Sequence, residues 1–164
     1  IPVMHVTMLG LYGGIAVAAL GGAPNLTAFQ KPLGVNKANT TFSLHSYPAV
    51  LSALSINQGA QMIYKNRPNS EKIRYVDRKV TGQVTIECPK PDVKDFFAIC
   101  RAETTGALAL THGTTAGNKG ILAASTVQLT NPRTSEGDNM VMLAMDMIFM
   151  PSSAGNDELT YATQ

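Results

Sequence analysis

The side chains that could do chemistry in this sequence are few and scattered. His5, His45 and His112 each stand alone, and no two share the HxH, HxxxH or HExxH spacing that aims two imidazoles at one metal ion. Each is expected to be structural. There are only two thiols, Cys88 and Cys100. Free, packed thiols are the default reading, and pairing between them stays open. Neither a GxSxG elbow nor a Walker-type GxxxxGK[ST] run occurs. The segment Gly113–Gly120, GTTAGNKG, resembles a phosphate loop only superficially. It lacks GK[ST] and lies between two predicted strands, so no helix N-terminus faces it, and it reads as a hairpin turn. Asp146 is the one acid in the apolar run MVMLAMDMIFM of residues 140–150. A buried unpaired carboxylate is costly, so Asp146 either faces a polar interior or interface or pairs with a base. No nucleophile–base or metal constellation emerges, and the expectation is no catalytic site, no metal and no cofactor.

The elements that carry these residues are mostly strands. Residues 2–12 and 41–47 read as strands, as do 49–57 and its hairpin partner 60–65, with Gly59 at the turn. Residues 72–79 read as a further strand. Residues 80–87 alternate, with Val80, Val84 and Ile86 on one face and Thr81, Gln83, Thr85 and Glu87 on the other, as in a half-buried strand. Strands are also expected over 107–112, 121–130, 140–150 and from Asp157 to Tyr161, with Asn131-Pro132 stopping one run and 133–139 a polar loop. The single helix signal is Lys90 to Asp95. Asp92 is the expected N-cap and Asp95 completes a weak capping box. Val93, Phe96, Phe97 and Cys100 follow the i, i+3, i+4, i+7 spacing of one apolar helix face, and Gly106 is the expected terminator. One helix among eight or nine strands predicts a mainly β fold, a β-sandwich or barrel with a flanking helix.

Composition bounds the rest. A chain of 164 residues fits one domain, and 45% apolar residues suffice for a core. Charged residues make up 15%, below the roughly 25% of an average globular chain, which predicts a surface partly covered by other subunits. No window nears the roughly 18 consecutive apolar residues of a membrane-spanning helix, so no membrane partner is expected. The five methionines at 140, 142, 145, 147 and 150 serve either the core or an oligomer contact. The stretches 13–40 and 65–79 read as long loops. A connection as long as the first is unusual in a compact domain unless it is functional or covers a partner.

Charge is segregated. Residues 1–60 carry Lys31 and Lys37 and no acid, residues 61–79 are net +4, and residues 80–164 are net −4. The basic stretch is Lys65, Arg67, Lys72, Arg74, Arg78 and Lys79, with Glu71 and Asp77. Its readings are a nucleic-acid contact, a dock for the acidic part of a neighbouring copy, or a solvated loop.

Four blocks carry a family resemblance: IPVMHVTMLGLYG at the start, RKVTGQVTIECPKPDVKDFFAICRAETTGALALTHGTTAGN over 78–118, TVQLTNP over 126–132, and the closing SAGNDELTYAT. Together they resemble the C-terminal half of tail tube proteins of long-tailed bacteriophages. The match is a pattern of apolar and turn residues over most of the chain, and not a catalytic signature. The beginning at Ile1, already strand-like, agrees with a fragment or processed product of a chain about twice as long. The resemblance implies a single tail-tube-like β domain over 1–164 and no enzymatic activity. Strands of neighbouring copies would join into one closed barrel around a pore, with the helix outside. Rings, trimeric or hexameric, would stack into a tube. The implied location is the virion tail, assembled in the bacterial host cytoplasm, with other tail proteins as partners and DNA as transient, non-specific cargo. Thr81, Gln83, Thr85 and Glu87 would line the lumen. The loop with Lys65, Arg67, Glu71, Lys72, Arg74, Arg78 and Lys79 would bridge to a neighbouring subunit or ring. A virion- or cell-displayed immunoglobulin-like binding module is the alternative from a different functional class.

Overall fold

A computed structural model describes residues 2–13 and 32–164. In chain order the elements are β1 (Thr40–Leu44), β2 (Leu51–Asn57), β3 (Ala60–Arg67), β4 (Ser70–Arg78), β5 (Thr81–Glu87), α1 (Phe96–Arg101), β6 (Thr105–His112), β7 (Gly120–Gly137), β8 (Met140–Phe149) and β9 (Thr160–Thr163). The fold is mainly β with one short helix, as the alternation indicates. Most of the expected loop 13–40 lies outside the described residues.

All strand pairs are antiparallel. The main sheet runs β1-β6-β7-β8-β5-β2, and β9 pairs with β7 off this path. Its inner face is apolar because the sequence alternates: Val84 and Ile86 of β5, Leu143, Met145, Met147 and Phe149 of β8, Val127 and Leu129 of β7, Leu108 of β6 and Leu44 of β1 are all buried. Met145 and Met147 belong to this core, whereas Met140 is exposed.

Helix α1 packs on this apolar face over β7. It is shorter than its sequence signal. Its N-cap is Asp95, whose carboxylate accepts the Ala98 amide at 2.9 Å, and not Asp92. The start therefore shifts by one turn, and the face that packs shifts with it. Phe96 is 1% exposed and meets Tyr47 edge-to-face, with ring centroids 6.0 Å apart, while Ile99 and Cys100 pack partly against the core. Val93 lies ahead of the helix at 62% exposure and Phe97 is 38% exposed, so neither belongs to the packed face. The helix ends at Arg101, before Gly106, which is a β6 residue whose absent side chain makes room for His45.

Three strand expectations are corrected. Residues 2–12 have strand-like alternation but form no ladder among the described residues, and their side chains are exposed throughout, so alternation alone gives them no sheet to join. Residues 49–57 and 60–65 do not pair with each other. β2 pairs with β5, and β3 pairs with β4. The polar stretch 133–139 is no loop: β7 runs through Asn131-Pro132 on a bulge between Thr130 and Arg133, with Asn131 at φ +54°, and continues to Gly137. The bulge removes the ladder position that a proline could not satisfy. Asp138 and Asn139, both at positive φ, then close a two-residue hairpin to Met140.

Candidate functional site

Two surfaces stand out once the sheet is assembled: its face away from the helix, and a hairpin that leaves the sheet.

The outer face is built row by row, because antiparallel Cα partners point their side chains to the same side. One row is Asn57, Thr81, Ile148 and Gln128. The next is Ser55, Gln83, Asp146 and Thr130. The third is Ala53, Thr85, Ala144 and Arg133. Thr81, Gln83, Thr85 and Glu87 thus share the side opposite Val84 and Ile86, as their alternation predicts. Threonine, serine and alanine make up half of these positions, and amides, one arginine, one aspartate and Ile148 the other half. Pairing shows what the single-strand reading missed, that Ala53, Ser55 and Asn57 of β2 extend the polar side. The alternation of β2, with Leu54 and Ile56 turned inward, was the available signal.

Asp146 settles at the centre of this face. Its Oδ1 accepts from Arg133 Nη2 at 2.8 Å and from Gln83 Nε2 at 3.2 Å, and its Oδ2 accepts from Asn131 Nδ2 at 2.9 Å. The bulge at Asn131 brings two of these three partners onto the carboxylate. Pairing with a base, one of the two expectations for Asp146, is met by Arg133. A carboxylate with all of these donors is a structural anchor, with no second acid hydrogen-bonded to it.

The sheet's two ends are open. No strand among the described residues pairs with the outer side of β2, and the outer side of β1 carries only a single bridge from Leu44 to Tyr47. Such edges are templates for further pairing.

The basic stretch 65–79 is a hairpin rather than a loop. β3 and β4 continue the β2–β5 hairpin past Gln58-Gly59, and turn at Pro68-Asn69 with Asn69 at φ +65°. Gly59, at φ +60°, is required there, since a side chain would strike the Lys79 carbonyl. The two strands pack on each other and on little else. Side chains alternate across the arm. Lys65, Arg67, Lys72 and Arg74 lie on one side with Ser70, and Lys65 stands directly opposite Lys72. Glu71 lies on the other side with Met62, Tyr64, Ile73 and Tyr75, where Tyr64 Oη donates to its carboxylate at 2.6 Å. That bond pushes the Tyr64 hydroxyl pKa up. Arg78, at the arm's base, turns back and pairs with Glu158 near the C-terminus, so it is engaged within its own chain. Lys79 stands in the connection to β5.

The isolated histidines sit apart. His45 is buried in a tight turn with Ser46, both at positive φ, and its Nε2 bonds the Val127 carbonyl at 3.0 Å. His112 Nδ1 bonds Thr40 Oγ1 at 2.8 Å. Burial lowers the His45 pKa, the Val127 bond raises it, and the nearby Lys94 ammonium lowers it further, with a net downward shift. Burial raises the Cys100 thiol. Among the described residues no three His, Cys, Asp or Glu side chains converge as a metal site would require, and no helix is long and apolar enough to cross a membrane. Gly113–Gly120 spans the β6–β7 turn.

No protein-family model and no curated protein matches the sequence. Solved structures do match by fold. One is a chain of the virion of a native gene transfer agent particle, 11% identical, with a TM-score of 0.50 over 79% of this chain and 100% of that chain. Another is a chain of the tail of an empty gene transfer agent particle, determined by helical refinement with C6 symmetry. It is 13% identical, with the same TM-score and coverage. At that identity the likeness is one of fold.

Proposed function

We propose that this chain is a structural virion protein, one tail-tube-like β domain that assembles with copies of itself into rings stacked as a tube for genome delivery. The observation that carries the reading is a sheet whose two edges and one largely polar face are left open among the described residues. Joining the β2 edge of one copy to the β1 edge of the next would satisfy both rows of backbone groups and close the sheets into a common barrel. The helix-covered face would then lie outside, and Thr81, Gln83, Thr85 and Glu87 would line the lumen. A lumen of threonine, glutamine and alanine, with its one arginine bonded to Asp146, offers DNA little to hold, as a conduit requires. The likeness to chains in a gene transfer agent virion and in a C6-symmetric tail supports a tail role, with a trimeric or hexameric ring and other tail proteins as partners. The place of work would be the virion, after assembly in the host cytoplasm. The arm would bridge to a neighbouring subunit or ring.

The test is the mass and shape of the purified protein, by light scattering and negative-stain electron microscopy. Rings or tubes with a central hole are expected. A monomer at every concentration would count against the reading.

A further inference from the structure

The register of the sheet fixes where its two hairpins point. Along β5, the arm leaves from the Thr81 end, where Thr81 pairs with Ile148. At the other end, Glu87 pairs with Met142, and there β7 and β8 run on to their turn at Asp138-Asn139. The arm and the β7–β8 tip therefore project from opposite ends of the same sheet. Eight paired residues give the arm a reach of roughly 26 Å at about 3.3 Å per residue.

Their charges are opposite too. Lys65, Arg67, Lys72 and Arg74 share one side of the arm, and none forms an ion pair among the described residues. Placing Lys65 directly across from Lys72 is unfavourable in the isolated chain and becomes favourable when an anion sits between them. The β7–β8 tip carries Glu136 and Asp138, and no lysine or arginine follows Arg133 in the sequence. Arg133 is bonded to Asp146, and neither Glu136 nor Asp138 forms an ion pair among the described residues. Beside these acids stand exposed Met140 and Val141, which offer apolar contact area.

We propose that the basic side of the β3–β4 arm docks on the Glu136/Asp138 tip of a second copy of this chain, head to tail along the strand direction. This deepens the assembly reading above and names the surface that receives the arm. The contact is heterologous: each copy offers one arm and one tip, at opposite ends, so every added copy presents a fresh pair. Complementary charge supplies the register and the encounter rate, and the methionine and valine at the tip give area for packing. Double-stranded DNA is the competing anion. The tip is favoured because it carries unpaired acid on the same chain, at the end that a head-to-tail array brings to the arm.

The test uses two otherwise full-length chains in a Cys88→Ala/Cys100→Ala background. One carries Arg67→Cys on the arm, the other Asp138→Cys at the tip. Mixed and mildly oxidised, they are expected to give the mixed disulfide dimer in excess over either homodimer. Lys65→Glu/Lys72→Glu in the arm chain should cut the yield about tenfold, and adding Glu136→Lys to the tip chain should restore it. Raising salt from about 0.05 M to about 0.5 M should lower it. Circular dichroism confirms that each variant is folded. Equal homo- and heterodimer yields, or a yield indifferent to these charges, would overturn the proposal. So would an arm that binds a DNA duplex in a Lys65- and Lys72-dependent way while the cross-link is unaffected. Tubes that form regardless of arm charge would sink this contact and leave the assembly reading standing. A charge-dependent cross-link without rings or tubes would do the reverse.

Discussion

The guanidinium of Arg78, the last residue of β4, closes on the carboxylate of Glu158, a residue only 7% exposed near the C-terminus. Arg78 also donates to Asn156 Oδ1 at 3.4 Å. The base of the arm is thereby tied to the segment leading into β9. The second Glu158 oxygen, Oε2, is buried with no hydrogen-bond partner among the described residues, so the pair holds position at some cost in desolvation. Arg78→Ala leaves that carboxylate buried and unpaired. It is expected to destabilise the fold by about 2–4 kcal/mol, short of the full penalty because Arg78 keeps some solvent contact. Arg78→Ala/Glu158→Gln should recover part of the loss. Urea titrations of the two singles and the double, read as a cycle, measure this.

The cap and the packed face of α1 separate residues that its sequence treats alike. Asp95→Ala removes the acceptor of the Ala98 amide and should cost about 1 kcal/mol, whereas Asp92→Ala should stay within about 0.5 kcal/mol of the parent. Phe96→Ala should cost about 3–5 kcal/mol by opening a cavity beside Tyr47. Phe97→Ala, on a side chain that water already reaches, should cost much less. Denaturant midpoints of the four variants check the order.

His45 makes stability depend on pH. Its folded pKa lies below the ordinary 6.5, so below that pH the unfolded chain takes up a proton that the folded chain resists. Stability should therefore fall as pH drops from about 6.5 toward the folded pKa, and be insensitive to this group above pH 7. Melting temperatures between pH 5 and pH 8 for the parent and for His45→Gln should show the slope in the parent and a shallower slope in the variant.

Gly106 sits against the His45 ring, and an added Cβ would lie 2.6 Å from its Cγ and Nδ1. Gly106→Ala must displace the imidazole from the Val127 carbonyl, and overpacking of this kind typically costs about 1–3 kcal/mol. The imidazole signal of His45 should move in the NMR spectrum of the folded variant. An unmoved signal and an unchanged melting temperature would contradict the contact.

Local pattern determined a good deal. The period-two alternation of Thr81–Glu87 fixed which of its side chains face the core, because a strand offers only two sides. The apolar run 140–150 left that choice open, and its pairing with β5 and β7 turned Leu143, Met145, Met147 and Phe149 inward. The mainly β class and the lone helix followed from the same periodicity. Pairing was beyond local pattern. β2 and β3 adjoin in sequence and carry a glycine between them, yet β2 takes β5 and β3 takes β4, because a longer ladder satisfies more backbone groups than a tight turn at Gly59 would. Only the bulge at Asn131 placed Asn131 and Arg133 on Asp146, and a bulge is set by the partner strand. The basic residues were plain in the sequence. That four of them share one side of an arm, opposite in direction to the Glu136/Asp138 tip, was decided by register, which relates residues far apart in the chain.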